Sequence, residues 1–406
     1  MKLRPLALSL LGTFAIVLPA AGQDGTVEAL MEQAIRTSPS YLAAEADADR
    51  ARAAADRIAA GPYEFEVNAS GGQRKIDDPL ASESRYTEWS AGVSRTVRLP
   101  GKRQVDQDLA RIETDLAGTA LGQALYDERQ SFATLWSAWR HADLLRETSS
   151  AQAEEAARMA ELEQIAVDKG AERQIRADQL AAEAGLLRLQ AEQDRTAAQV
   201  ARATLTTRYP EIVFPERPLP LALPEGAIAD LLEAPVDHVP AYQTSQLLAE
   251  QARLKARRAR LEGMPDPTVG LEFGNEFGGS ETSLMARLTI PIGGSARQAY
   301  AREMSANATV ADLNRVRVER EFYQAHQSAR ASLTASMSMY DRALETAEAS
   351  AKVLETLRKG YDLGEITITE LLNGRRSVIT AQRTVAEQRA RMEADLLKLM
   401  ALTGGR

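Results

Sequence analysis

Residues 63–70 read Tyr63-Glu64-Phe65-Glu66-Val67-Asn68-Ala69-Ser70. Tyr63, Phe65, Val67 and Ala69 face one way and Glu64, Glu66, Asn68 and Ser70 the other, the period of a β-strand with one face in an apolar medium and one in water. Residues 87–97 carry the pattern on, with Trp89, Ala91, Val93 and Val97 opposite Glu88, Ser90, Ser94 and Thr96, although Arg95 interrupts the apolar side. The pair recurs further along: Val269, Leu271 and Phe273 oppose Thr268, Glu272 and Gly274, and Leu284, Ala286, Leu288 and Ile290 oppose Ser283, Arg287 and Thr289. Periodicity alone fits two half-buried hairpins on soluble helices as well as it fits strands of about ten residues in an outer-membrane barrel. Four strands from a single chain cannot close a barrel.

What surrounds the strands is long and helical, and it is written twice. Proline-opened segments run from Pro39 to Gly61 and from Pro240 to Gly263, and Arg103 to Gly170 repeats as Arg297 to Gly364 with an offset of 194 residues. No proline interrupts residues 101–170 or 295–364, so each could form a helix of roughly 100 Å at about 1.5 Å per residue. The first repeat is about ten residues longer between the matched blocks, and the excess is assigned to a loop from Gly71 to Arg85. Leu371, Val378, Val385, Met392 and Leu399 recur every seven residues, the stripe of a coiled-coil seam or of any helical hairpin. The expected organisation is a signal peptide over 1–22, a first repeat over 23–215 (strands about 62–74 and 86–98, helical hairpin about 101–208), a linker over 216–236 and a second repeat over 237–406 (strands about 267–276 and 281–291, hairpin about 295–403).

Lys2 and Arg4 precede an apolar run from Leu6 to Leu18 and then Pro19-Ala20-Ala21-Gly22, the form of a secretory signal. The run is too short for a bilayer-spanning helix, and without cysteine there is no lipid attachment site. Absence of cysteine also excludes disulfides and thiolate metal sites, and three scattered histidines make a histidine-built metal centre improbable. A net charge of -8 argues against nucleic acid as a partner. No nucleophile motif or phosphate loop suggests an enzyme, and no cofactor or metal is expected. Trp136 and Trp139 are expected to pack where helices meet a surrounding belt.

The hairpins turn at Asp168-Lys169-Gly170 and Gly360-Tyr361-Asp362-Leu363-Gly364, where glycine supplies the backbone freedom of a tight helical turn. Thr367 or Thr369 can cap the following helix, with Glu370 in its first turn. The offset aligns Glu370 with Arg176 and Asn373 with Gln179. If the turns lie side by side, Arg176 and Glu370 could pair; as isolated residues both read as solvated charges.

The duplicated plan, together with Tyr361-Asp362-Leu363-Gly364 followed by Glu370-Leu371-Leu372, resembles the TolC-type outer-membrane efflux channels. Gly61-Pro62-Tyr63-Glu64-Phe65-Glu66-Val67, Glu88-Trp89, Ser94-Arg95, Arg98-Leu99-Pro100-Gly101-Lys102 and Pro265-Asp266-Pro267-Thr268-Val269-Gly270 look like the heavy-metal, CzcC-like branch. The resemblance implies an α+β membrane protein: a homotrimer with one twelve-stranded barrel in outer-membrane lipid, continuous with a periplasmic coiled-coil tunnel. It implies a passive exit duct rather than an enzyme, partnered by a periplasmic adaptor (membrane fusion protein) and an inner-membrane RND pump. Glu64, Glu66, Glu88, Glu272 and Arg287 would face the lumen. Gly170, Arg176, Tyr361, Asp362, Gly364, Glu370 and Asn373 would form the periplasmic gate. Glu370 stands at the family's constriction acid, the next acidic position is Asn373, and the usual acidic partner of Tyr361 is Arg176. The expected cargo is heavy-metal cations, with drugs or other small molecules as the rival reading and a pore-less secreted helical adaptor as the rival outside the channel class.

Overall fold

The computed structural model describes residues 27–76, 84–170, 173–212, 214, 227–233 and 235–403. The segment read as a signal peptide and most of the 216–236 linker lie outside the described residues.

The chain runs α1 (Val27–Arg36), α2 (Pro39–Ala60), β1 (Phe65–Ile76), β2 (Ser84–Thr96), α3 (Pro100–Asp168), α4 (Gln174–Arg208), α5 (Ala227–Leu232), α6 (Pro240–Leu261), β3 (Thr268–Glu276), β4 (Glu281–Thr289), α7 (Ser295–Asp362) and α8 (Ile368–Thr403). Prolines open α2, α3 and α6, where the missing N–H has no helical partner to lose. Before α2 the Ser38 hydroxyl accepts from the Tyr41 amide at 3.2 Å. Matched elements have nearly equal lengths: 22 and 22 residues for α2 and α6, 69 and 68 for α3 and α7, 35 and 36 for α4 and α8. At 1.5 Å per residue the long helices extend about 100 Å. Two helical hairpins result, α3 with α4 and α7 with α8, and α8 also packs on α3.

The four strands form one antiparallel sheet in the order β1-β2-β3-β4, so the repeats meet along β2 and β3. Register sorts the side chains into rows. Phe65, Arg95, Val269 and Leu288 share one row, Val67, Val93, Leu271 and Ala286 the next, and Ala69, Ala91, Phe273 and Leu284 a third. The apolar face is laid bare: Val67 is 82% and Leu284 75% exposed. Strands β1 and β2 have 12 and 13 residues against 9 each in β3 and β4. The expected strand to about residue 74 therefore runs on to Ile76, and the one from about 86 begins at Ser84, so that both ends of the stretch Gly71–Arg85 given to a loop are strand. The inserted residues extend a ladder whose alternation Gly71, Gly72, Gln73 and Arg74 conceal from a hydrophobicity reading. A second correction concerns Tyr63 and Glu64, which precede the first paired residue. Tyr63 donates its hydroxyl to Asp266 Oδ2 at 2.9 Å instead of joining the apolar face.

The main core lies at the middle of the long helices. Phe132, Trp136 and Trp139 of α3 pack with Val27, Met31 and Ile35 of α1 and with Tyr209 and Phe214 beyond α4. Trp136 and Trp139 have ring centroids 4.8 Å apart, and Trp139 meets Phe214 edge-on at 4.9 Å. The tryptophans serve as packing, as the sequence suggested. Of the heptad stripe, Val378 and Leu399 are buried and Leu371, Val385 and Met392 half-buried.

Candidate functional site

Three places concentrate polar chemistry: the ends of the hairpins, the polar face of the sheet, and the junction between sheet and helices. At the hairpin ends the duplication holds to single hydrogen bonds. Lys169 N–H donates to Ile165 and Gly170 N–H to Val167, and 194 residues later Leu363 N–H donates to Lys359 and Gly364 N–H to Tyr361. Gly170 and Gly364 take φ of 75° and 74°, a region that disfavours a Cβ. A further bond, Glu365 N–H to Gly360 O at 2.8 Å, completes the second stop.

The turns are brought together by Arg176 of α4 and Tyr361 of α7. The Arg176 guanidinium lies over the Tyr361 ring, 4.6 Å from its centroid, and Arg176 Nε is 3.4 Å from Glu163 on α3. The Tyr361 hydroxyl is buried and makes no hydrogen bond among the described residues. Glu370 does something other than pair with Arg176. Its carboxylate accepts from the Thr367 amide at 2.7 Å and hydroxyl at 2.9 Å, and its own amide donates to Thr367 Oγ1 at 3.3 Å. This reciprocal capping box makes Thr367, of the two threonines considered, the cap of α8. The Thr367 amide and then its hydroxyl hold the Glu370 carboxyl below the usual carboxylate range. The pairing expected between Arg176 and Glu370 is thus replaced, within one chain, by a cation over an aromatic ring and a local cap. Asn373 is exposed on the next turn of α8, and Asp362 is the last residue of α7.

On the polar face, Glu66, Ser94, Gly270 and Arg287 share a row, as do Asn68, Gly92, Glu272 and Met285. Glu272 accepts from Arg287 Nη2 and from Ser90 Oγ, both at 2.8 Å. Glu88 is held by Arg74 Nε at 2.8 Å. Glu66 is exposed on the same face, while Glu64 falls outside the strand.

The junction was missed by sequence reasoning as a site, although its parts had been singled out. Lys102 and Asp266, each with a side chain only 2% exposed, are 3.2 Å apart; Lys102 also reaches Glu262, and the Leu99 amide donates to Asp266 at 3.0 Å. Asp106 accepts from Arg98 at 2.9 Å and from Arg258 at 2.8 Å, and Arg258 also pairs with Glu262. Burial alone would raise the Asp266 carboxyl, but the Leu99 amide, the Tyr63 hydroxyl and Lys102 hold it below its ordinary value. Burial raises the Tyr63 hydroxyl, and the neighbouring Asp266 carboxylate raises it further. The two stretches 98–102 and 265–270 are thus one structure, pinning the strand-to-helix corner of the first repeat to the helix-to-strand corner of the second. A second missed pair, Arg383 of α8 with Asp194 of α4 at 2.7 Å, ties the two hairpins lower down. The partners that join the two repeats, such as Lys102 with Asp266, Arg258 with Asp106 and Arg383 with Asp194, lie more than 150 residues apart, so no local pattern marks them.

Among the described residues no group of three or more His, Asp or Glu side chains is placed to hold a metal ion, and no helix is long and apolar enough to cross a membrane. No family model matches the chain, and no curated protein matches it. Solved structures do. The outer membrane protein VceC of Vibrio cholerae aligns with a TM-score of 0.74 at 18% identity, over 93% of this chain and 96% of VceC. The CmeC outer membrane channel of Campylobacter jejuni gives 0.70 at 14%, over 93% and 85%. CusC, a protein that undergoes transmembrane channel formation, gives 0.68 at 13%, over 95% and 96%. The chain has the fold of these outer-membrane channels.

Proposed function

We propose that three copies of the chain form an outer-membrane exit duct of the TolC type, a conduit and not an enzyme. The observation that carries the reading is the sheet. Its apolar face is exposed, its polar face holds the acidic residues, and the outer edges of β1 and β4 pair with no other strand among the described residues. Water would penalise both the apolar face and the open edges. Lipid around a closed ring of twelve strands, four from each copy, removes both penalties. The helices continuing from the sheet then form a periplasmic tunnel of about 100 Å.

In this reading Glu66, Glu88, Glu272 and Arg287 line the barrel lumen and the exposed apolar rows meet lipid. The turns at Gly170 and Gly364, with Arg176, Tyr361, Asp362, Glu370 and Asn373, form the periplasmic gate. A gate needs contacts that hold in the resting state and yield when a partner docks. Arg176 over Tyr361 is such a contact, since a cation over an aromatic face contributes only about 0.5–2 kcal/mol. The docking partners are a periplasmic adaptor and an inner-membrane pump of the RND class, and the pump supplies the energy. Acidic lumen residues bias the duct toward cations. That bias and the short CzcC-like stretches favour heavy-metal cations as cargo over drugs or other small molecules.

The deciding experiment is conductance of the purified protein in a planar bilayer, with cation over anion selectivity read at low and high salt. Small cation-selective openings from a heat-resistant trimer are expected. A soluble monomer that never inserts would overturn the reading in favour of a pore-less secreted helical adaptor. For cargo, a deletion strain should lose growth on zinc, cobalt, cadmium, copper or silver salts; lost growth on dyes and antibiotics alone would reassign the duct to small molecules.

A further inference from the structure

The two helices that follow the turns share one ion pair and carry two buried charges that no contact uses. α4 and α8 both run away from the turns, and Arg383 reaches Asp194 between them at 2.7 Å. Eleven residues nearer the turn on α4 stands Glu183, 5% exposed, with neither carboxylate oxygen hydrogen-bonded. Eight residues nearer the turn on α8 stands Arg375, 6% exposed, with its Nη1 unpartnered. Among the described residues neither side chain is in an ion pair. Buried charged groups without partners destabilise the arrangement that strands them.

Depth brings the two together and direction keeps them apart. Measured from the Asp194–Arg383 pair, Glu183 and Arg375 differ by three residues of helix, about 4.5 Å in depth, within the reach of an arginine side chain. Eleven residues are about three turns, so Glu183 leaves α4 on the same side as Asp194, towards α8. Eight residues are about 2.2 turns, so Arg375 leaves α8 roughly 80° round from Arg383. It shares instead the face of Ile379 and Gln382, which receive Gln152 of α3 at 3.2 and 3.0 Å. One turn further along α3 the buried residue is Ala156, whose side chain offers a guanidinium no acceptor, and Glu163 beyond it is taken by Arg176. A rotation of α8 about its own axis that turns Arg375 towards α4 carries Arg383 away from Asp194.

We propose that Glu183 and Arg375 are gate residues that pair with each other when the turns part, in exchange for the Asp194–Arg383 pair that holds at rest. This rests on the exit-duct reading above and adds to it a contact that favours opening, where Arg176 over Tyr361 favours rest. One ion pair between the hairpins replaces another, so the two states stay close in energy. The closer they are, the smaller the difference in affinity that a docking partner needs to shift the population.

The test uses full-length trimers in planar bilayers, with Arg176→Ala as the parent because it loosens the turns, and melting of the same substitutions made alone. In the parent, Glu183→Gln and Arg375→Gln should each lower the time-averaged conductance about tenfold or more, the order expected when a buried pair loses one charge in one state only. Made alone, each should raise the melting temperature of the resting trimer, because it removes a stranded charge. The charge swap E183R/R375E should return the conductance to that of the parent, which a merely structural role for either side chain would not do. Asp194→Asn made alone should raise conductance, since it removes the resting pair. Unchanged conductance in both Gln variants would overturn the proposal and leave the duct standing. So would a lower melting temperature for Glu183→Gln, which would mean that the carboxylate is paired at rest. If no trimer conducts, Arg176→Ala included, the duct reading fails and this proposal with it.

Discussion

At the level of single residues the two ends of the molecule call for opposite interventions. At the junction Lys102 and Asp266 are buried and paired, so removing the Asp266 charge leaves the buried Lys102 with Glu262 alone. Asp266→Asn is expected to destabilise the protein by about 3 kcal/mol, read as a lower melting temperature. Its pH dependence has a definite sign. The Asp266 carboxyl is lowered in the folded state, so its contribution is present above the ordinary value of 3.8 and is lost as pH falls through the folded value. The wild type should lose stability across that acid window and the Asp266→Asn variant should lose less, in melts recorded from neutral pH downward. At the turns, by contrast, the Tyr361 hydroxyl has no partner among the described residues while its ring carries Arg176. Tyr361→Phe should leave single-channel conductance unchanged, and Tyr361→Ala and Arg176→Ala should both raise it. A Phe variant that conducts like the Ala variant would mean that a neighbouring copy supplies a hydroxyl partner and that the ring contact is secondary. Glu370→Ala removes half of a capping box and is expected to fray the first turn of α8, read as faster amide hydrogen exchange there than in the wild type.

At the level of elements, the nearly equal lengths of α3 and α7 and of α4 and α8 put both turns at one depth, where Arg176 can reach Tyr361. Removing seven residues from α3 and seven from α4 would raise one turn by about 10 Å. That variant should lose the contact and conduct without gating, while the same deletion made in both hairpins should restore gating and retain the heat-resistant trimer on gels. If the single-hairpin deletion gates normally, equal length is an inheritance of duplication and not a constraint. These elements were also the most legible part of the sequence. Proline-free runs and the 194-residue offset marked α3 and α7 to within a residue or two, because a helix is a local periodic object. The strand ends were less legible, since Gly71, Gly72, Gln73 and Arg74 carry no alternation and only the partner strand gives them an extended ladder. Least legible were the contacts of the candidate site. A capping box can be read at short range, but the sequence pairing of Glu370 with Arg176 followed repeat symmetry, whereas Thr367 three residues away was the nearer donor. Lys102 with Asp266 joins positions 164 apart, and only the folded sheet brings them into contact.

At the level of the whole molecule, the question is what the open edges do. An antiparallel sheet with β1 and β4 bare can add copies without limit or curl until the last edge meets the first, and its strand twist favours curling. The chemistry of the two faces selects closure. A filament would leave the apolar rows through Val67, Leu271 and Leu284 in water along its whole length, while a closed ring in lipid covers them and gathers the acids on the inside. Since the chain has no cysteine, disulfide trapping can separate the outcomes cleanly. One cysteine at Val67 on β1, combined in turn with cysteines at Ala286 and Leu288 on β4, should yield at one register a covalent ladder that stops at three chains. A ladder continuing beyond three would show an open assembly, and cross-links that form only within monomers would show that the edges never meet. The same variants fix the faces: single cysteines at Phe65 and Leu271 should react with lipid-soluble reagents, and those at Glu66 and Glu272 with water-soluble ones. The reverse pattern would turn the barrel inside out, placing the acids against lipid where ionised carboxylates are costly, and the cation bias of the duct would be lost with it.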